Sequence, residues 1–166
     1  MPEVVTIGVY GWDEASFWQA LQAARVDTFF DIRRRRGVRG TAYAFANAVR
    51  LQAGLAAIGI RYVHRLDLAP SSGTRDMQHA ADRAARVARR ARGALDPDFI
   101  ARYRQECLAA FDSAAFLETL GPQVQIIALF CVEGEPAACH RSLLAARLGA
   151  DLGVAITHLR PPGRPT

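Results

Sequence analysis

The chain has 166 residues, about half of them apolar, with 21 basic side chains against 16 acidic and a net charge of +5. That length holds one domain with a real core and not two comfortable ones, and the apolar content excludes disorder along the whole chain. No apolar run reaches the ~20 residues of a membrane-spanning helix, and no cleavable leader pattern opens the sequence, so a cytoplasmic protein with no membrane partner is expected.

Every basic residue is arginine in an alanine-rich background, so the choice of arginine by itself says little. The positive balance still draws anions: nucleotides, nucleic acids and phosphorylated metabolites are the partner classes it favours. Three cysteines, odd in number and far apart, do not make a disulfide framework.

In chain order, Val4 to Tyr10 reads as a buried strand, and Asp13 then opens a helix that sets Phe17, Leu21 and Ala24 on one face. Thr28 to Ile32 is a second strand, ending in the arginine loop 33–39. A second helix is expected from Tyr43 to Ala57, burying Phe45, Val49 and Ile58 or their neighbours, with Gly59 as its stop. Arg61 to His64 is a third strand. The alternation of strand and helix predicts a single α/β domain over residues 1–160, with a mostly parallel, Rossmann-like sheet of about five strands and helices on both faces.

Residues 71–95 interrupt that rhythm with arginine and alanine, as an exposed helix or an irregular insertion. Asp96-Pro97 starts another helix, with Ile100, Tyr103, Cys107, Leu108 and Phe111 on one side. Gln123 to Cys131, the most apolar strand, belongs in the middle of the sheet. A helix from Ala138 to Leu152 and a last strand from Val154 to Leu159 complete the pattern, and residues 161–166 read as a loose tail. The glycine-rich dinucleotide fingerprint is absent, and no cofactor is expected.

Ligands of open parallel sheets bind at the carboxyl ends of the strands. Those ends deliver Tyr10, Asp31 with Arg33, His64 with Asp67, and Cys131 with Glu133, while the following helix opens with Cys139-His140-Arg141. Cys139 at a helix start suits a reactive thiolate, an anion held by free backbone N–H groups, or a plain capping residue. Asp31, Glu133 and His64 are the proton-transfer candidates. Arg33, Arg141 and His140 are the anion ligands, with Tyr10 and Cys131 beside them. The bland alternatives are a salt bridge between Asp31 and Arg33, a partner of Arg141 in Asp31 or Glu133, a core thiol at Cys131, and a half-buried His64. His79 and His158 read as structural and Cys107 as core. Zinc would have to recruit Cys131, Cys139, His140 and His64, which lack tight ligand spacing, so no metal is assigned.

Thr6-Ile7-Gly8, Asp31-Ile32-Arg33, the run Gly59 to His64, and Cys131-Val132-Glu133 followed by Cys139-His140-Arg141 together resemble the uncharacterised family catalogued as domain of unknown function 488, or DUF488. The resemblance implies an α/β fold and a site built on these motifs, and brings no established activity. Two departures stand out: Val9-Tyr10 where members often carry His-Ser, and Arg34-Arg35-Arg36-Gly37 where proline and serine are usual. Three functions follow as expectations. The first is a small enzyme acting on a small anionic ligand or nucleotide. The second is a nucleic-acid-binding module using arginine loops, with residues 33–39 holding five arginines and residues 61–104 ten against five acids. The third is a redox or metal-sensing domain built on Cys131 and Cys139. Around 86–92 the arginines read as a solvated surface, and no oligomeric state is assigned.

Overall fold

The computed structural model describes residues 1–163. Five parallel strands, β1 (Glu3–Ile7), β2 (Thr28–Asp31), β3 (Arg61–His64), β4 (Ile126–Phe130) and β5 (Ile156–His158), form one sheet in the order β3-β2-β4-β1-β5. β4 lies in the middle, with Val4 to Ile7 of β1 opposite Ile127 to Phe130 and Thr28 to Asp31 of β2 on its other side. Its Ile-Ile-Ala-Leu-Phe sequence suits a strand covered on both faces, and Ile127 to Phe130 are fully buried.

Alternation along the strands divides the core in two. Phe29 and Phe130 meet Phe17 of α1 (Glu14–Ala23), which also packs on Phe45, while the neighbouring Phe30 turns the other way to Phe116. One outer layer is thus α1 with α2 (Ala48–Ala57). The other contains α4 (Pro97–Tyr103), α5 (Ser113–Glu118) and α6 (His140–Leu152), and the long helix α3 (Ser72–Ala84) packs on α4. The domain is a three-layer α/β fold.

Asp13 caps α1 by accepting from Ser16 N at 2.8 Å, and Gly59 ends the turn after α2 at φ +74°, a conformation that suits a residue without Cβ. The helix expected over 43–57 divides at Asn47, whose extended backbone separates a 3₁₀ segment (Thr41–Ala46) from α2 and whose Oδ1 accepts from Val38 N. That break changes the helical phase. Leu51 and Leu55 point inward, and Val49, expected to be buried, is 82% exposed. The helix after Asp96 passes into a π-helical turn (Arg104–Leu108), which leaves Cys107 half-buried instead of in the core, and α5 has no counterpart in the sequence reading. Pro161, at the start of the expected tail, is buried, and residues 164–166 lie outside the described residues.

The interruption at 71–95 is ordered. Ser71 Oγ accepts from Thr74 N to cap α3, and Thr74, Gln78 and Asp82 form a buried polar stripe with the spacing of helical turns. Gln78 donates to Asp82 at 2.8 Å and accepts from Asp96 N at 2.9 Å, which ties α3 to the start of α4.

Candidate functional site

A cleft of about 510 Å³ opens over the carboxyl ends of β1, β2 and β4 and is walled on the far side by α3 and the segment after it. Eight arginines and one carboxylate, Glu133, line it. Its floor is Cys131, Cys139 and His140.

The two cysteines are eight residues apart, but β4 and the start of α6 are joined by a tight loop that folds back. The sulfurs of Cys131 and Cys139 and one nitrogen of His140 consequently lie within 4.8 Å of one another, all buried. His140 Nε2–H donates to the Ile32 carbonyl at 3.0 Å, which leaves Nδ1 aimed at the thiols, 3.8 Å from Cys131 Sγ. Tyr103 packs against the imidazole and anchors its own hydroxyl on the Leu68 carbonyl.

Cys139 is the N-cap of α6. Burial opposes its ionisation, but hydrogen bonding from Cys131, the Arg141 guanidinium and His140 outweigh burial and hold its pKa well below the ordinary thiol value. Cys131 moves the other way, pushed well up by burial and by its hydrogen bond to Cys139. His140 is raised: burial disfavours its charge, yet Cys139 and the Ile32 carbonyl more than compensate. Of the two buried thiols, Cys139 is therefore the one whose ionisation the site favours, and Cys131 the one that stays protonated.

Arg141 lies behind this centre with no exposed surface. Its Nη1 and Nη2 donate to the carbonyls of Glu133 (2.5 Å) and Gly134 (3.2 Å), and its Nε to Thr6 Oγ1 (3.3 Å). Arg141 thus clamps the loop after β4 and does not line the cleft. Gly8 makes this possible: a Cβ there would stand 2.0 Å from the Glu133 carbonyl oxygen and 3.2 Å from Arg141 Nη1.

Asp31 and Arg33 form a buried two-pronged ion pair, with Arg33 Nε and Nη2 donating to Asp31 at 2.8 and 2.7 Å. Asp31 also accepts from Tyr62 OH at 2.8 Å and from Arg33 N at 3.1 Å, so both oxygens are occupied. Burial leads in pushing the Tyr62 pKa up to about 12, which keeps that hydroxyl a donor. Arg33 reaches the cleft wall, over the Phe130 ring at 4.5 Å, whereas Asp31 stays behind it. His64 bonds through Nε2 to the Arg33 carbonyl at 2.9 Å and also stays outside the cleft; Asp67 pairs with Arg65 instead.

Glu133 faces inward and accepts from Arg89 Nε at 2.8 Å and, more weakly, from Arg92 Nη2 at 3.5 Å. The arginines of 86–92, expected to be a solvated surface, include three that line the cleft, Arg89, Arg90 and Arg92. Arg90 lies over the rings of both Tyr10 and Tyr43, at 5.1 and 5.2 Å. Arg75 of α3 also faces the cleft. Burial lowers its pKa, and the nearby charges of Arg89 and Arg35 lower it further. His79, expected to be structural, lines the same wall.

Of the expected residues, Tyr10, Arg33, Cys131, Glu133, Cys139 and His140 converge on the cleft, while Asp31, His64 and Arg141 support it from behind. Arg75, Arg89, Arg90 and Arg92 are the contributors that sequence reasoning missed. For Arg75 the signal was the Thr74, Gln78, Asp82 stripe, which marks a polar helix with a buried side. Residues 14–148 match the family model described as Domain of unknown function DUF488. No curated protein and no solved structure matches the chain.

Proposed function

Given that the chain belongs to the DUF488 family, we propose that it is an enzyme that holds a small anionic substrate, a nucleotide or phosphorylated metabolite, in its arginine-lined cleft and attacks it with the Cys139 thiolate. The observation that carries this reading is the charge excess of the cleft: Arg33 pairs with Asp31, Arg92 with Asp82, and Glu133 is shared by Arg89 and Arg92, while Arg34, Arg35, Arg39, Arg75 and Arg90 have no carboxylate partner among the described residues. Arg75 sits among like charges in a half-buried position, where an incoming anion relieves both repulsion and desolvation.

The floor supplies the chemistry. A thiolate at a helix N-terminus, beside an imidazolium and a buried guanidinium, is an activated nucleophile. Its attack on an electrophilic carbon or phosphorus forms the bond to sulfur and expels the leaving group, and His140 Nδ1–H is the nearby proton for that group. Asp31 acts by fixing Arg33, and Arg141 by fixing the loop and favouring the thiolate.

Calorimetric titration of the reduced protein with inorganic phosphate and with nucleoside mono-, di- and triphosphates tests the binding. Arg75→Ala is expected to weaken the tightest ligand about tenfold or more, equivalent to ~1.4 kcal/mol, with unchanged thermal stability of the free protein. Equal affinity in wild type and variant removes the anion reading. Cys139→Ser is expected to bind and not to turn over.

A second reading, binding of single-stranded nucleic acid, is favoured by one feature. Arg90 with Tyr10 and Tyr43 sets two aromatic rings beside the arginine wall, where a base has a surface to stack on. Its mark is affinity that grows with oligonucleotide length and is reduced by Tyr43→Ala.

A further inference from the structure

Cys131, Cys139 and His140 also have the makings of a metal centre. A zinc ion with Zn–S bonds of about 2.3 Å and Zn–N bonds of about 2.0 Å in tetrahedral array sets its ligand atoms roughly 3.6–3.8 Å apart. The three ligand atoms here lie within 4.8 Å of one another, and the Cys131 Sγ to His140 Nδ1 separation is 3.8 Å. Bringing them onto a metal requires shifts of well under the length of a bond.

The surroundings agree with that use. Nδ1 must give up any proton to ligate, and the hydrogen bond from Nε2–H to the Ile32 carbonyl keeps the other ring proton on Nε2 and sets the ring orientation, as outer-shell partners do in zinc sites. The Tyr103 ring holds the imidazole from the side. Both cysteines are free of disulfide bonds. All three side chains line the cleft.

We propose that Cys131 Sγ, Cys139 Sγ and His140 Nδ1 form a three-ligand site for a borderline-soft divalent cation, zinc above all, with its open position directed into the cleft. Two sulfurs and one imidazole favour zinc over magnesium or calcium, which take oxygen ligands. The site does not depend on the anion-binding reading. It constrains the chemistry, because Cys139 cannot serve as a metal ligand and a free nucleophile at once: metal and thiol reagents compete for the same sulfur.

The test begins with reduced, metal-free wild-type protein titrated with Zn²⁺ against a chromophoric chelator, and with Co²⁺ as a spectroscopic substitute. One equivalent of Zn²⁺ is expected to bind and to release protons, because the sulfurs must ligate as thiolates and Nδ1 without its proton. Cobalt is expected to show tetrahedral absorption with a thiolate-to-metal charge-transfer band. One equivalent of Zn²⁺ is expected to protect Cys131 and Cys139, but not Cys107, from alkylation. Cys131→Ser is expected to weaken zinc binding by more than a hundredfold, beyond the 10–100-fold cost of outer-shell changes, and Cys107→Ser to leave it unchanged. Failure of wild type to bind one equivalent, an octahedral cobalt spectrum without thiolate character, or undiminished binding in Cys131→Ser overturns the proposal. The cobalt spectrum of wild type reads thiolate ligation without any substitution, so a variant that fails to fold leaves the test intact.

Discussion

At the scale of single residues, the three cysteines carry the same thiol in different electrostatic settings. Burial pushes Cys107 up to about 12 and Cys131 well above the ordinary value, while Cys139 falls below it. Iodoacetamide at pH 7 is therefore expected to label Cys139 first, as read by peptide mass spectrometry. As pH falls from 9, its labelling rate should hold longer than those of Cys107 and Cys131. The same shift has a sign for stability. A thiol whose pKa is lowered on folding stabilises the fold above its unfolded value, and that contribution is lost as pH falls through the folded value. The buried ion pair of Asp31 and Arg33 is a second residue-scale determinant, both partners being at most 2% exposed. Arg33→Leu strands an uncompensated carboxylate and is expected to lower stability by about 3–5 kcal/mol, seen as a lower urea midpoint at unchanged slope.

At the scale of elements, the site depends on how closely the loops after β1 and β4 approach. Adding one methyl group at Gly8→Ala places a carbon against the Glu133 carbonyl, which Arg141 holds in place. The loop cannot retreat without losing that hydrogen bond. The substitution is expected to destabilise by about 1–3 kcal/mol or more, measured by thermal unfolding, and to abolish selective labelling of Cys139. The strands and their layering were legible because β-branched and aromatic runs bounded by turn residues are a local signal. The convergence on the strand ends followed from that. What sequence alone hid was geometry set by loops: the fold-back that joins Cys131 to Cys139, the kink at Asn47 that exposes Val49, and the inward turn of Arg89 and Arg92. Arg141 illustrates the limit well. Its spacing from Cys139 suited an anion ligand equally well, and only three backbone and hydroxyl partners on other segments give it the clamping position it has.

At the scale of the whole molecule, the net charge of +5 is not spread evenly, since eight of the 21 arginines face one cleft. Anion binding is accordingly expected to weaken as salt rises, because added ions screen the same field over a Debye length of about 10 Å at 0.1 M. Affinity for phosphate or nucleotide measured between 50 and 300 mM NaCl should fall steadily, and a flat profile points to recognition by neutral groups instead. No helix among the described residues is long and apolar enough to cross a membrane.

The order of the sheet sets a schedule for synthesis. β1 emerges first, yet both of its neighbours, β4 and β5, begin after residue 125. At translation rates of ~5–20 residues per second, the most apolar N-terminal strand waits on the order of ten seconds on the ribosome with both edges open. During that interval β2 and β3 can pair only with each other. A nascent chain stalled before Ile126 thus carries three unsatisfied strand edges, both of β1 and the β4-facing one of β2, and these are the surfaces a ribosome-bound chaperone would be recruited to cover.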